Sequence, residues 1–323
     1  MKVLSVRAYW LTVLISILGC VALYAVLAVM QLGAPTGLTG YTERYAVAQD
    51  RCAVKKEPKL LYGSGSSGFY GVRCEQLSRM IGRPAVNFGL HGGLGLRYLM
   101  DRVLAASTAG DVIVIAPEWE NYHGPRFGEY ACDYIMSRRP EYLKALPLSL
   151  AIQLVVAAGP ERIFSGLWSR LSHGPSSSLE AEELRGVNGN GDRVIMPEDV
   201  EQQSKFVKNL SADAPRWRTP SSQLAHDVDA FVAAARAKGV RIVAAFPPLC
   251  MSERVDEANL RAADDGMRTF WGDRGVEVLG TIEDFVYKPS DAFDTPYHLG
   301  ERAASIHTVK LARLLLASQI LKK

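Results

Sequence analysis

Lys59-Leu60-Leu61-Tyr62-Gly63-Ser64-Gly65-Ser66-Ser67-Gly68 is an apolar run that passes straight into small residues. Leu60 to Gly63 predicts a buried strand, and the glycines and serines after it predict a loop at its carboxyl end where a serine hydroxyl can stand clear. Outward from this loop, strands and helices alternate. Pro84 to Phe88 predicts a second strand and Val112 to Ala116, Val-Ile-Val-Ile-Ala, a third, with helices over Cys74 to Met80 and Leu96 to Ala106. The rhythm resumes with a helix from Leu224 to Ala237 and a strand from Arg241 to Phe246. A helix from Glu253 to Trp271, a strand from Val276 to Leu279 and a helix from Glu301 to Leu321 close it. Continuous apolar strands between amphipathic helices predict an α/β fold with an open, five-stranded parallel sheet covered on both faces.

Residues of about 120–220 interrupt this alternation and predict an inserted helical lid or interaction region. Within it Leu146 to Ala158 is apolar but too short to cross a bilayer, so it reads as a buried helix or one lying against a membrane or a partner.

The first thirty residues differ from the rest. Ala8 to Met30 carries no charged side chain and is long enough to span the ~30 Å hydrocarbon core. It predicts one transmembrane helix within 1–33, followed by a polar linker over 34–57 and the α/β domain over 58–323. Lys2 and Arg7 precede it, which orients the N-terminus to the cytoplasm and the domain to the periplasm or exterior of a single-pass cytoplasmic-membrane protein. The run exceeds the length of a signal-peptide core, which favours an uncleaved anchor over a cleaved leader.

The 323 residues, 48% hydrophobic, suffice for a substantial core. A net charge of +3, from 37 basic and 34 acidic residues, excludes the strongly basic class that binds nucleic acid. Cys52, Cys74, Cys132 and Cys250 would face an oxidising compartment, so one or two disulfides are open, with no pairing fixed by spacing. No cysteine or histidine stands at metal-ligand spacing, and neither a metal nor a cofactor is predicted.

Three phosphate or hydrolase motifs are tested by the glycine-serine loop. Gly63-Ser64-Gly65-Ser66-Ser67-Gly68 matches GxGxxG, yet the second strand ends Val86-Asn87-Phe88-Gly89 without the acid that holds a ribose. A P-loop fails because Phe69 stands where a lysine is required, and no GxSxG elbow fits. Far along the chain, Asp294-Thr295-Pro296-Tyr297-His298-Leu299 offers an imidazole beside a carboxylate, the pairing that activates a hydroxyl nucleophile.

In this order the segments resemble the blocks of the SGNH (GDSL-like) hydrolases, and the resemblance spans the α/β domain apart from the insertion. It implies a three-layer α/β/α, flavodoxin-like fold. It places the nucleophile at Ser66, the general base at His298 and its orienting acid at Asp294. Asn87-Phe88-Gly89-Leu90-His91-Gly92-Gly93 resembles the second block, which assigns backbone N–H groups of Gly92 and Ser66 to an oxyanion hole. In the third block, Ala116-Pro117-Glu118-Trp119-Glu120-Asn121, Glu118 stands near the family's asparagine, and Asn121 is the substitute donor. His91 and Glu118 are expected to line the pocket. The acid lies four residues before the histidine, where the family commonly has three.

Anchored SGNH-like proteins are similar to those that add or remove acyl groups on cell-envelope polysaccharides. The resemblance therefore implies a serine esterase or O-acyltransferase without cofactor, an acylated polysaccharide as substrate and a membrane-bound O-acyltransferase as partner. The alternative is a domain that kept this fold without the chemistry and serves as a binding or assembly module. His123, His173, His226 and His307 read as solvated or packed. Asn188-Gly189-Asn190-Gly191-Asp192 with Asp199 mimics a calcium loop, but Arg193 replaces its glycine, and a plain turn cluster is the better reading.

Overall fold

The computed structural model describes residues 5–36, 39–54, 57–124, 126–173, 186–194, 215–251 and 256–322. The chain runs through α1 (Val6–Met30), α2 (Thr39–Cys52), β1 (Leu60–Gly63), α3 (Ser66–Gly71), α4 (Cys74–Ile81) and β2 (Ala85–Asn87). It continues through α5 (Gly95–Ala106), β3 (Val112–Ile115), α6 (Glu129–Arg138), α7 (Pro140–Ala145) and α8 (Leu148–His173). The last third holds α9 (Ser222–Ala237), β4 (Arg241–Ala245), β5 (Leu249–Cys250), α10 (Glu257–Gly272), β6 (Glu277–Leu279), β7 (Val286–Tyr287) and α11 (Glu301–Ala317). These elements form two compact units, Met1–Gly40 with Glu129–Ser178 and Tyr41–Gly128 with Leu179–Lys323.

The larger unit is built on a five-stranded parallel sheet in the order β2-β1-β3-β4-β6. Every residue of β1 and β3 is buried, which is why both read as unbroken apolar runs rather than as alternating ones. The strand order reverses between β1 and β3, and in open α/β sheets the crevice outside the carboxyl ends at such a point receives ligands. A separate two-stranded parallel ladder pairs Leu249 with Val286 and Cys250 with Tyr287. Pro247-Pro248 ends the apolar run of β4, and nothing in the sequence around Val286 marks the second strand of that ladder.

Helix ends follow their local chemistry. Ser221 caps α9 by accepting the Leu224 N–H at 3.2 Å, and Asp256 caps α10 by accepting those of Ala258 and Asn259. The α10 cap starts that helix later than the sequence expectation of Glu253; residues 252–255 lie outside the described set. Helix α11 stops at Ala317 rather than Leu321, because Ser318 turns extended while its N–H still bonds Leu314.

The segment expected to be a linker contains α2, with Ala46 and Gln49 fully buried. All five cysteines are free thiols, so neither of the open disulfides is formed. Burial raises the Cys74 thiol well above its usual range, Cys132 to about 11 and Cys250 to about 12, which keeps them protonated and unreactive.

In the smaller unit α1 is an apolar helix of 25 residues, about 37 Å long, with Ala28 its only buried residue. That length and composition suffice to cross a membrane. Helix α8 is longer than the apolar stretch that announced it. At Gly159 (φ 71°) the backbone takes a conformation open to glycine, Pro160 follows, and the chain then resumes as helix to His173.

Candidate active site

The loop after β1 turns at Gly65 into the six-residue helix α3, whose first residue is Ser66. Ser66 is half-exposed, while Ser64 and Ser67 on either side are buried. Among the described residues the Ser66 hydroxyl makes no hydrogen bond. Tyr70 lies one turn further along α3, and residues four apart share a helix face. Its ring stacks on the His298 imidazole with centroids 3.9 Å apart and planes 6° from parallel. The Arg193 guanidinium lies over the other neighbours of this stack, 4.4 Å from the Tyr70 ring and 4.9 Å from Phe293.

His298 and Asp294 meet despite their unusual spacing. The loop is folded back on itself by the Phe293 N–H donating to His298 O at 2.6 Å and the His298 N–H donating to Thr295 O at 3.1 Å. An antiparallel bridge joins Ala292 to Leu299. This closure sets His298 Nδ1 2.5 Å from Asp294 Oδ1, so the fourth residue back reaches the ring. Nδ1 is thereby committed to the carboxylate, and among the described residues Nε2 has no partner. Tyr297 ties the loop to the turn that follows β3 by donating its hydroxyl to Glu120 Oε1 at 3.0 Å.

Glu118 occupies the centre of the site. It is 5% exposed, and its Oε1 accepts the Ser67 N–H at 2.8 Å. Asn121 Nδ2 donates to Oε2 at 3.1 Å, so this side chain is turned to the carboxyl group. A Cβ on Gly65 would overlap the Glu118 carboxyl group, and one on Gly92 would stand 3.1 Å from Oε2. Glycine at these two positions is what lets the first and second loops close on Glu118. Burial raises the Glu118 pKa, against the pull of the Ser67 N–H and of nearby His298. His91 sits exposed at the rim, its Nδ1 accepting the Gly93 N–H at 3.0 Å. Desolvation by the surrounding protein, then the neighbouring His298, lowers its pKa.

The structure therefore brings Ser66, Gly92, Glu118, Asn121, His91, Asp294 and His298 to the carboxyl ends of β1, β2 and β3. It also supplies residues that sequence reasoning passed over. Asn87, at the end of β2, donates Nδ2 to the Gly68 and Val72 carbonyls and accepts the Gly89 N–H at 2.8 Å, locking α3 to the second loop. Gln49, in the segment read as a linker, donates to Gly89 O at 2.7 Å. Asp192, from the turn weighed as a calcium loop, caps α4 by accepting the Cys74 and Glu75 N–H groups at 2.6 and 2.8 Å. Asp199 lies outside the described residues. Asn87 carried one readable signal, a polar residue ending an otherwise apolar strand. Gln49 and Asp192 carried none, because their partners are distant in sequence.

Among the described residues no cluster of His, Cys, Asp and Glu has the arrangement of a metal site. Neither models of known protein families nor curated proteins match this chain. The site is accordingly read from its own geometry.

Proposed function

We propose that this chain is a serine acyl-ester enzyme of the SGNH type, an esterase or O-acyltransferase. The observation that carries the reading is the Asp294–His298 pair, with Nδ1 committed and Nε2 open, stacked against Tyr70 on the helix that begins at Ser66. In this scheme Ser66 Oγ attacks an ester carbonyl while His298 Nε2 takes its proton. Asp294 holds the ring and stabilises the imidazolium. The Ser66 and Gly92 N–H groups face the developing oxyanion, a contribution of about 3 kcal/mol per donor in such sites. Collapse of the tetrahedral intermediate expels the alcohol, which leaves with the proton from His298. Water or a sugar hydroxyl then gives up its proton to His298 and attacks the acyl-enzyme, and collapse of this second intermediate releases the acid or new ester as His298 returns the proton to Ser66 Oγ.

Helices α3, α4 and α11 pack together, as do α5 and α9, and these two groups support a three-layer arrangement about the sheet. The apolar α1 supports a single membrane anchor with the N-terminus in the cytoplasm and the catalytic unit in the periplasm. That setting suits an acylated envelope polysaccharide as substrate and a membrane-bound O-acyltransferase as partner.

The test is labelling of the full-length protein in detergent with a serine-reactive fluorophosphonate, compared with Ser66→Ala and His298→Ala. An adduct on Ser66 is expected, with labelling slowed about a thousandfold in His298→Ala, the scale of a lost general base. A second reading is favoured by one observation: the Glu118 carboxyl group fills the gap between Gly65 and Gly92, where an oxyanion has to sit. On that reading the unit binds polysaccharide without chemistry, and folded protein gives no adduct.

A further inference from the structure

Helix α8 leaves large apolar side chains uncovered along both of its halves. Leu148, Ile152 and Val156 recur every fourth residue before the Gly159-Pro160 kink and are 54–77% exposed. Phe164, Trp168 and Leu171 continue the exposed row beyond it, at 61–84%. From Leu146 to Pro160 there is no charged residue. The opposite side of the same helix is packed, with Leu154 and Ile163 buried. The exposed row is thus a second apolar face on a helix that has already satisfied its first.

What covers this face is indicated by its neighbour. Helix α8 packs on α1, and the Tyr24 hydroxyl donates to Val155 O at 3.4 Å, so the apolar surfaces of the two helices are continuous. Apart from that bond, the polar contacts among the described residues cluster just past the end of α1. Arg162 donates to Gln31 Oε1 at 2.5 Å and to Ala34 O at 3.3 Å, and pairs with Asp133. Ser169 donates to Pro35 O and Arg170 to Leu32 O. Gly166 is the close approach that admits this network, since a Cβ there would overlap Arg162. A boundary between apolar and polar environments therefore crosses both helices at one place, with Phe164 and Trp168 beside it. Aromatic side chains concentrate at that level of a bilayer.

We infer that α8 lies in the lipid surface beside α1, its row Leu148, Ile152, Val156, Phe164, Trp168 and Leu171 immersed in one leaflet. The uncharged half from Leu148 to Ala158 spans about 16 Å, only half of the ~30 Å core, so α8 stays within a single leaflet. The smaller unit is then held flat on the membrane by two helices rather than hung from one. This inference rests on the membrane part of the reading above and is independent of its chemistry.

The experiment places a photoreactive benzophenone side chain singly at Leu14, Ile152, Glu161 or Trp168 of the full-length protein, in membranes of the expressing cell, followed by irradiation. All four side chains are exposed, so the replacement leaves the packed faces intact. Leu14 reports on the anchor and Glu161 on the aqueous side of the kink. Lipid adducts at Ile152 and Trp168, severalfold above Glu161, are the expected result. Lipid adducts at Leu14 with none at Ile152 and Trp168 would overturn the α8 assignment and leave the anchor standing. Protein adducts at Ile152 and Trp168 would overturn it in favour of a partner protein, and absence of lipid adducts at Leu14 as well would remove the anchor with it.

Discussion

At the amino end of β3, Asp111 is fully buried and every demand of its charge is met. It receives the Lys59 ammonium at 2.8 Å, the Lys59 N–H at 2.9 Å and the Thr108 N–H at 2.7 Å. Just past the carboxyl end of the same strand, Glu118 is almost as buried, and its carboxyl group accepts the Ser67 N–H and the Asn121 amide. Among the described residues no Lys or Arg pairs with it. A buried carboxylate with a buried cation holds a strand in place; a buried carboxyl group without one is costly to keep and makes its surroundings a candidate site. On the reading proposed above, the two ends of one strand divide stability from chemistry.

The contrast can be broken most severely at the structural end. Asp111→Ala removes the carboxylate that pairs with the Lys59 ammonium at zero exposure, and urea unfolding should show a loss of about 3–5 kcal/mol, while fluorophosphonate labelling of the folded fraction keeps its rate. A loss below about 1 kcal/mol would mean that the pair is replaceable and the contrast false.

At the chemical end the change is smaller and of opposite kind. Glu118→Gln keeps the acceptor for the Ser67 N–H and puts a donor where the carboxyl group faces Gly92. Because burial raises the Glu118 pKa, its neutral form persists to higher pH than usual, and its charged form, repelling an oxyanion, appears above that pKa. Wild-type labelling should therefore fall as pH rises through it, whereas Glu118→Gln should lack that limb and label about tenfold faster on its alkaline side. Slower labelling of Glu118→Gln at every pH would show instead that the carboxyl group itself is required.

A third buried group sharpens the structural side through its dependence on pH. His307 on α11 is fully buried, with Tyr287 Oη 2.9 Å from Nδ1, and burial lowers its pKa to about 3. The folded value lies below the unfolded one of about 6.5, so the stability it contributes is present above pH 6.5 and drains away as pH falls toward 3. The urea midpoint should decline between pH 6.5 and 4, and His307→Gln should flatten that slope. A slope unchanged in His307→Gln would assign the acid sensitivity to other groups.

The sheet was legible because burial on both faces leaves only apolar residues in β1 and β3, a pattern that needs no knowledge of neighbours. Ser66, His298 and Asp294 were legible as candidates, each beside a strand end or ahead of the last helix. The distance from Asp294 to His298 was not, since it depends on Phe293 and His298 closing the loop through their backbones. Nor was the position of Glu118, which reads as one acid in a loop and becomes central only when Gly65 and Gly92 close on it from other strands. Helix α8 shows the same limit from the other side: the sequence marked an apolar stretch, but only packing on α1 separated its covered face from its exposed one.

What the chain determined alone was whatever local periodicity and composition encode: the five strands, the main helices, the apolar N-terminal helix and the residue types available for chemistry. What only the tertiary structure decided was which of those residues share a space. The Tyr70–His298 stack, the Asp192 cap on α4, the Gln49 contact and the Glu118 gap all join residues separated by tens to hundreds of positions. The reason is physical: strand and helix patterns repeat within a few residues, whereas a site is assembled from loop ends whose meeting is set by strand order in the sheet.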